Sequence, residues 1–283
     1  MRPLSREYMT IGDLVISGRD DEAGVSIVLG DLDGAAGSPA PTLATTQRSL
    51  GHGVWTGGSY LGGRSIAVSG WIHGDDPEAA AAGRDRLKSA ITLDRTDLVL
   101  VDGKDRRSTT VRRDGEVIVT RITDRTFSWS AQVIAEDPRW YGEWQERSTG
   151  VPTSTGGLAV PFTVPVVIAS TVTSGEVSLI NAGTIAAPVT VRFDGPLTGP
   201  SVRHTRTGRT VALSSALELA EGEHLIVQMD TRQVLAQGTA SRSRLLTRRE
   251  WSEALPGENT WAFTTATAGP GARMTVTTRS AWE

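Results

Sequence analysis

The 283-residue sequence predicts an all-β protein with one α-helix, built as two β-sandwich domains. Three observations carry this. Short runs of alternating apolar and polar residues recur along the chain, the period of two that a strand with one buried face requires. Clusters of Gly, Asp, Asn and Pro separate them at the spacing of turns in all-β domains. The series breaks once, around 149–172, where Thr, Ser, Gly and Pro surround an apolar island at 158–168. Domains are therefore expected at 1–148 and 173–283, with a linker over 149–172.

In the first half, strands are expected at 9–16, 24–29, 64–73, 98–101, 108–113, 116–123 and 127–136. Asp114-Gly115 lies between two β-rich runs and marks a hairpin, since both central positions of such a turn take positive φ. The strand 127–136 has the clearest pattern. Phe127, Trp129, Ala131, Val133 and Ala135 fall on one face, and Ser128, Ser130, Gln132 and Glu136 on the other. It reads as the last strand of the first domain, with Trp129 a core anchor and Asp137-Pro138 the turn that ends it. The helix is expected over about 77–91. Asp76 can cap its first turn, Pro77 loses nothing at the first helical position, and Glu78 complements the positive end of the dipole. Ala80, Leu87 and Ile91 form its buried stripe, and Arg84, Asp85, Arg86 and Lys88 its solvated face.

Between the second and third strands, residues 30–63 are rich in Gly, Pro, Ser and Thr and carry Trp55 and Tyr60. A structureless connection of this length is uncommon inside a compact domain, and such loops tend to order against a partner. Trp55 and Tyr60 are thus the candidate oligomer or tube interface. The alternative is a strand with both aromatics packed on the core of their own domain.

The second half offers strands at 176–181, 187–194, 201–204, 209–213, 224–230, 233–237, 260–265 and 273–279. Val189, Val191 and Phe193 point one way, as do Leu225, Val227 and Met229, the one-sided burial of an antiparallel sandwich. The run Leu255-Pro256-Gly257-Glu258-Asn259-Thr260 is a tight turn into a late strand that aims Trp261 and Phe263 at the core.

Several kinds of chemistry find no support. The chain has no cysteine, which excludes disulfide scaffolds, cysteine zinc sites and thiol nucleophiles. A net charge of −3, spread along the chain, gives no basic face, so specific nucleic-acid binding is not expected. Of 29 basic residues only Lys88 and Lys104 are lysines, a codon bias of GC-rich genomes. No apolar run approaches the roughly 20 residues that span a bilayer, and residues 1–8 lack the apolar core of a signal peptide. No membrane partner is expected, and synthesis in a cytoplasm is. His52, His73, His204 and His224 are too far apart in sequence for metal-ligand spacing. Gly57-Gly58 and Gly62-Gly63 lack the ending of a phosphate-binding loop, and no Gly-x-Ser-x-Gly elbow occurs. A carboxylate pair for glycoside hydrolysis is left open by sequence, but no catalytic residue, metal or cofactor is assigned. The chain reads as a scaffold.

The order of these motifs resembles the distal tail protein family of long-tailed siphophages, the minor tail proteins. The carrying residues are Gly63-Arg64-Ser65-Ile66-Ala67-Val68-Ser69-Gly70-Trp71-Ile72, a helix after Asp75-Asp76-Pro77, and the run from Phe127 to Tyr141. In the second half, Asn181-Ala182-Gly183, Ala187-Pro188-Val189-Thr190-Val191 and the run from Leu255 to Thr260 are similar to that family's galectin-like C-terminal domain. The resemblance implies a structural virion protein of the tail tip, assembled in the host cytoplasm. It implies a hexameric ring joining the tail tube to the tip or baseplate hub, with N-terminal domains forming the ring, C-terminal domains projecting outward, and DNA passing unread through the lumen. Implied partners are further copies of itself, the tail tube protein, the hub or tail-associated protein, and the tape measure protein. A galectin-like domain also implies an alternative, a carbohydrate-binding module for host recognition. Its candidate sugar contacts are His204 and Trp251, with His204-Thr205-Arg206 at a strand end that lacks the Asn and Trp of a galectin site.

Overall fold

The computed structural model describes residues 8–155, 171–173 and 175–283. The apolar island at 158–168 and most of the linker expected over 149–172 lie outside the described residues. The described chain is mainly β with a single α-helix, and it divides into two compact units, Met1–Gly142 with Trp282–Glu283, and Glu143–Ala281.

The first unit contains β1 (Tyr8–Ile11), β2 (Leu14–Ile16), β3 (Val25–Asp33), β4 (Pro41–Gln47), β5 (Val54–Leu61) and β6 (Arg64–Gly74). The helix α1 (Pro77–Ala90) follows, then β7 (Thr96–Asp102), β8 (Asp105–Arg113), β9 (Ile118–Arg121), β10 (Thr126–Ala135) and the first residues of β11 (Trp140–Gly150). The long pair is β6 with β10, antiparallel from Thr126↔His73 to Ala135↔Arg64. β3 lies on the other side of β6, and β8 and β9 on the other side of β10. Along β10 the expected alternation holds: Phe127, Trp129, Ala131, Val133 and Ala135 are all buried. Trp129 stands opposite Gly70, where any Cβ would come within 1.9 Å of the Val28 carbonyl oxygen. The space a side chain would need there is already taken by backbone and by the indole.

The helix follows its sequence signals. Asp76 is extended at φ −140° and its carboxylate accepts from the Ala79 N–H at 2.7 Å. Ala80, Leu87 and the capping residue Ile91 are buried, while Asp85, Arg86 and Lys88 are exposed. Gly83 completes the buried stripe, because a Cβ there would meet Val25 at 2.6 Å.

Three expectations need correction. The run 9–16 is two strands folded on each other around Gly12, with Met9 opposite Ile16. Asp114-Gly115 is not a hairpin: β8 and β9 never pair, and both run antiparallel to β10. The Asp114 N–H donates to the Gln132 carbonyl at 2.8 Å, so positive φ at Gly115 serves an interruption within one edge, and the reversal comes later, at Ile122–Arg125. Nor is β10 the last strand of its unit. After Asp137-Pro138 the chain enters β11, whose Trp140 and Tyr141 are buried and whose Tyr141 pairs with Ser108.

The second unit contains the later residues of β11, then β12 (Thr153–Thr155), β13 (Thr171–Thr173), β14 (Glu176–Asn181), β15 (Val189–Asp194) and β16 (Leu197–Thr198). Next come β17 (Ser201–His204), β18 (Thr210–Leu213), β19 (Glu218–Leu219), β20 (His224–Gln228), β21 (Gln233–Ala236) and β22 (Ala240–Ser241). The last are β23 (Leu246–Arg249), β24 (Gly257–Thr264), β25 (Thr267–Ala268) and β26 (Arg273–Trp282). One sheet has the order β14-β24-β17-β18-β23, and the other runs β26-β15-β20-β21-β22. Phe193 on β15 and Phe263 on β24 meet at 5.5 Å between ring centroids, which places the inner faces of the two sheets against each other. The strand β23 and the two-residue strands β16, β19, β22 and β25 carry too short a pattern to be read from sequence.

Two buried asparagines explain motifs that were only a sequence pattern. Asn181 donates to the carbonyls of Ile185 and Ala254 and accepts from the N–H groups of Gly183 and Ala281, so all four of its hydrogen-bonding capacities are used. Asn259 likewise donates to the Leu255 and Gly257 carbonyls and accepts from the Leu255 N–H. Each fixes a non-repetitive loop against a strand end, where backbone groups would otherwise be buried without partners.

Candidate functional site

Residues 41–61 are not structureless. β4 and β5 form an antiparallel hairpin from Pro41↔Leu61 to Gln47↔Val54. Its register shifts once: Leu43 pairs with Ser59 and Thr45 with Thr56, so Ala44 faces both Gly57 and Gly58. This bulge decides where the aromatics point. Trp55 and Tyr60 are five positions apart and would fall on opposite faces of a regular strand. With one extra residue between them, they stand opposite Thr46 and Thr42, which share a face of the unbroken β4. Both aromatics therefore lie on one side of the hairpin. Gly58 allows it, since a Cβ there would approach the Tyr60 ring at 3.1 Å.

No described residue of the first unit covers that side. Trp55 is 65% exposed and Tyr60 74%, and every residue of β4 is exposed. Leu50 at the tip is also exposed, and Arg48 stacks its guanidinium on Trp55 at 4.6 Å. Packing of Trp55 and Tyr60 on their own domain's core, the alternative open in the sequence, is not what the structure shows. Among the described residues β4 and β5 pair only with each other, so each also keeps an unpaired outer edge.

The base of the hairpin is held by a residue that sequence reading did not single out. Arg64, the first residue of β6, is almost fully buried. Its guanidinium donates to the carbonyls of Gly34, Ala35, Gly37 and Pro138. The Trp140 indole N–H donates to the same Ala35 carbonyl at 2.9 Å. Burial lowers the arginine pKa, opposed by the charge of Glu283, but arginine stays charged in any case. The segment entering the hairpin is thus gripped by the residue just past its exit. The only signal was an arginine at a strand start followed by strictly alternating residues, which suggests an inward-facing charge without naming its partners.

In the second unit the two proposed sugar contacts are not equivalent. His204 is fully buried, a correction to its assignment as a surface contact. The Asn and Trp found missing beside it in sequence are supplied by β24, but facing inward. Its imidazole stacks on Trp261 at 5.2 Å, and its Nε2 lies 3.1 Å from the Asn259 Oδ1. Since Asn259 spends its amide on two carbonyls, Oδ1 is the acceptor and Nε2 carries the proton. Nδ1 then accepts from the Thr207 hydroxyl at 2.8 Å. Burial is the main cause of a lowered His204 pKa, opposed by the Asn259 bond and reinforced by Arg206 and Arg209. The cluster is a neutral core network with no face for a ligand. Trp251 is half-buried and lines an open cleft with Arg209, Arg232, Arg248 and Arg249. Among the described residues no group of acidic and histidine side chains is arranged to hold a metal ion.

Residues 182–282 match the family model of the siphovirus-type tail component, C-terminal domain. Among curated proteins none matches by sequence. Among solved structures, the chain is similar to the Dit protein of phage SPP1, described as a paradigm of the hub adsorption apparatus in phages that infect Gram-positive hosts. The TM-score is 0.66 at 11% identity, covering 98% of this chain and 99% of that one. It is also similar to a chain of the phage p2 baseplate in its activated, strontium-bound conformation, with a TM-score of 0.50 at 10% identity over 96% and 97% of the two chains. At such identities the structures speak for the fold, while the family model speaks for the C-terminal sequence itself. Taken together, residues 182–282 match a siphovirus-type tail component in sequence, and the chain shares its fold with the Dit protein of phage SPP1.

Proposed function

We propose that the protein is a structural element of the phage tail tip that assembles with copies of itself into a ring, a hexamer by the resemblance, joining the tail tube to the tip or baseplate hub. The observation that carries this reading is the β4–β5 hairpin. A two-stranded hairpin is marginal on its own in water, and this one leaves two aromatics on one face and an open edge on each side. Exposed apolar patches and free strand edges are what a protein keeps for a partner and otherwise suppresses. In a ring each copy presents one surface to its neighbour's different surface, so the same hairpin can be offered once per subunit around the circle, toward the neighbour or the tube.

On this reading residues 1–148 form the ring, 149–172 link, and the galectin-like 173–283 projects outward. The tube protein, the hub or tail-associated protein and the tape measure protein are the proposed neighbours. The proposed place of action is the virion, after assembly in the host cytoplasm, and the role is architectural rather than enzymatic. The test is the native mass and negative-stain image of the purified chain at high concentration, with its location in purified tails. A ring at the tube end, lost in a Trp55→Ala/Tyr60→Ala double variant, supports the reading. A chain that stays monomeric and is absent from virions overturns it.

A further inference from the structure

The cleft beside Trp251 is a concentration of positive charge in a chain whose net charge is −3. It measures 710 Å³ and is lined by Thr207, Gly208, Arg209, Arg232, Arg248, Arg249, Glu250 and Trp251. These residues come from both sheets of the second unit. Arg248 and Arg249 end the edge strand β23, Arg209 precedes its neighbour β18, and Arg232 sits in the turn between β20 and β21.

Four guanidinium groups face one carboxylate, and that carboxylate is already committed. Glu250 accepts from Arg248 at 3.0 Å and from the Thr210 N–H at 3.0 Å. The other arginines are barely used. Arg209 donates to the Trp251 carbonyl and Arg249 to the Ser243 carbonyl, each leaving most of its five donors free. Arg232 is exposed and has no hydrogen-bond partner among the described residues. It also holds φ at +58°, a left-handed conformation in which a glycine or asparagine would be at ease and an arginine is not. Like charges gathered without counter-charges repel, and a bound anion relieves that repulsion.

Guanidinium forks match the paired oxygens of phosphate and carboxylate groups, and a tryptophan in the same cleft supplies the apolar surface that a sugar ring covers. A nucleic-acid backbone carries the same phosphate chemistry, and a duplex is therefore a competitor that the experiment includes. We propose that it binds an acidic saccharide, with phosphate or carboxylate groups held by Arg209, Arg232 and Arg249 and a sugar ring against Trp251. This site is separate from the hairpin, so it stands whether or not the ring reading does.

The experiment is calorimetric titration of the full chain at low salt with glucose 1-phosphate, a digalacturonate, glucose, inorganic phosphate and a short DNA duplex. Both acidic sugars should bind, more tightly than phosphate, and glucose should not. Arg232→Gly removes the guanidinium while relaxing the backbone, so its melting temperature should hold or rise while acidic-sugar affinity falls about tenfold or more, the cost of one charge-assisted contact. Trp251→Ala should erase the preference for acidic sugars over phosphate. Equal affinity for phosphate and the acidic sugars would make this a bare anion site and overturn the proposal. So would tighter binding of the duplex, no binding of either sugar, or affinity unchanged in Arg232→Gly.

Discussion

Trp55 and Trp261 are both tryptophans on antiparallel strands, yet one is 65% exposed and the other wholly buried. The strands differ in what lies beside and behind them. β24 is flanked by β14 and β17, and its inner face meets the opposing sheet through Phe263 and Phe193. Among the described residues β5 has only β4 beside it and no layer behind. Local sequence is similar at the two places, small and hydroxylated residues around an aromatic. Burial is thus a property of the sheet a strand joins, and the hairpin's aromatics are left for something outside its own unit.

Removing each aromatic in turn separates the two cases. Trp261→Ala empties the centre of the sandwich and strips the stacking partner from His204, so it should destabilise the second unit by about 3–5 kcal/mol. Trp129→Ala should cost the first unit about the same. Urea titration followed by circular dichroism measures both, and a loss below about 1 kcal/mol would show a cavity that closes by repacking.

Arg64 tests the link between core and hairpin. Arg64→Met keeps much of the volume but takes the arginine donors from the Gly34, Gly37 and Pro138 carbonyls and leaves Ala35 with the Trp140 indole alone. The expected cost is about 2–4 kcal/mol. Amide exchange in residues 34–62 should quicken more than in β24. Uniform quickening would mean that the arginine supports the unit without specifically anchoring the hairpin.

A smaller effect follows from the buried imidazole. The folded state holds the His204 pKa below its ordinary 6.5, chiefly through burial. The unfolded chain takes up that proton and the folded chain refuses it. Stability from this residue is therefore complete above pH 6.5 and is lost as the pH falls below it, by at most about 1.4 kcal/mol per pH unit. The carboxylates held below their ordinary range, Asp21, Asp85, Glu136 and Glu250, lose their contribution only at lower pH. Between about pH 6.5 and 5 the slope should thus vanish in His204→Gln. A slope unchanged by that substitution would assign the titration to another group.

What could be read from sequence was what depends on neighbours along the chain. The helix cap at Asp76, the alternation of β10 and the one-sided burial of β15 and β20 are local patterns, and all are present in the structure. What could not be read depends on pairing across the chain. Asp114-Gly115 has hairpin chemistry, but β10 offers one long edge that accepts β8 and β9 in line, and this pairing overrides the turn signal. His204 looked like a surface group because Asn259 and Trp261 are far away in sequence. The arginine cleft was visible only as the run Arg248-Arg249-Glu250-Trp251, since Arg209 and Arg232 reach it through the fold.

The smallest effect on stability should accompany the largest effect on assembly. Trp55→Ala and Tyr60→Ala remove side chains that touch little in the isolated chain, so each should change unfolding free energy by no more than about 1 kcal/mol. Arg48 loses its ring partner in the first variant, an exposed contact worth about 0.5–1 kcal/mol at most. Buried at a subunit contact, the same rings would be anchors of the kind that dominate interfaces, costing about 2 kcal/mol or more each on truncation. The bulge gives a finer test. Inserting one residue after Ala44 should give Gly57 and Gly58 a partner each, restore the regular register and turn Trp55 to the opposite face from Tyr60, leaving composition almost unchanged. Sedimentation should then show weakened association even though both aromatics remain. Association as strong as in the parent chain would mean that the free strand edges, and not the shared aromatic face, hold the copies together.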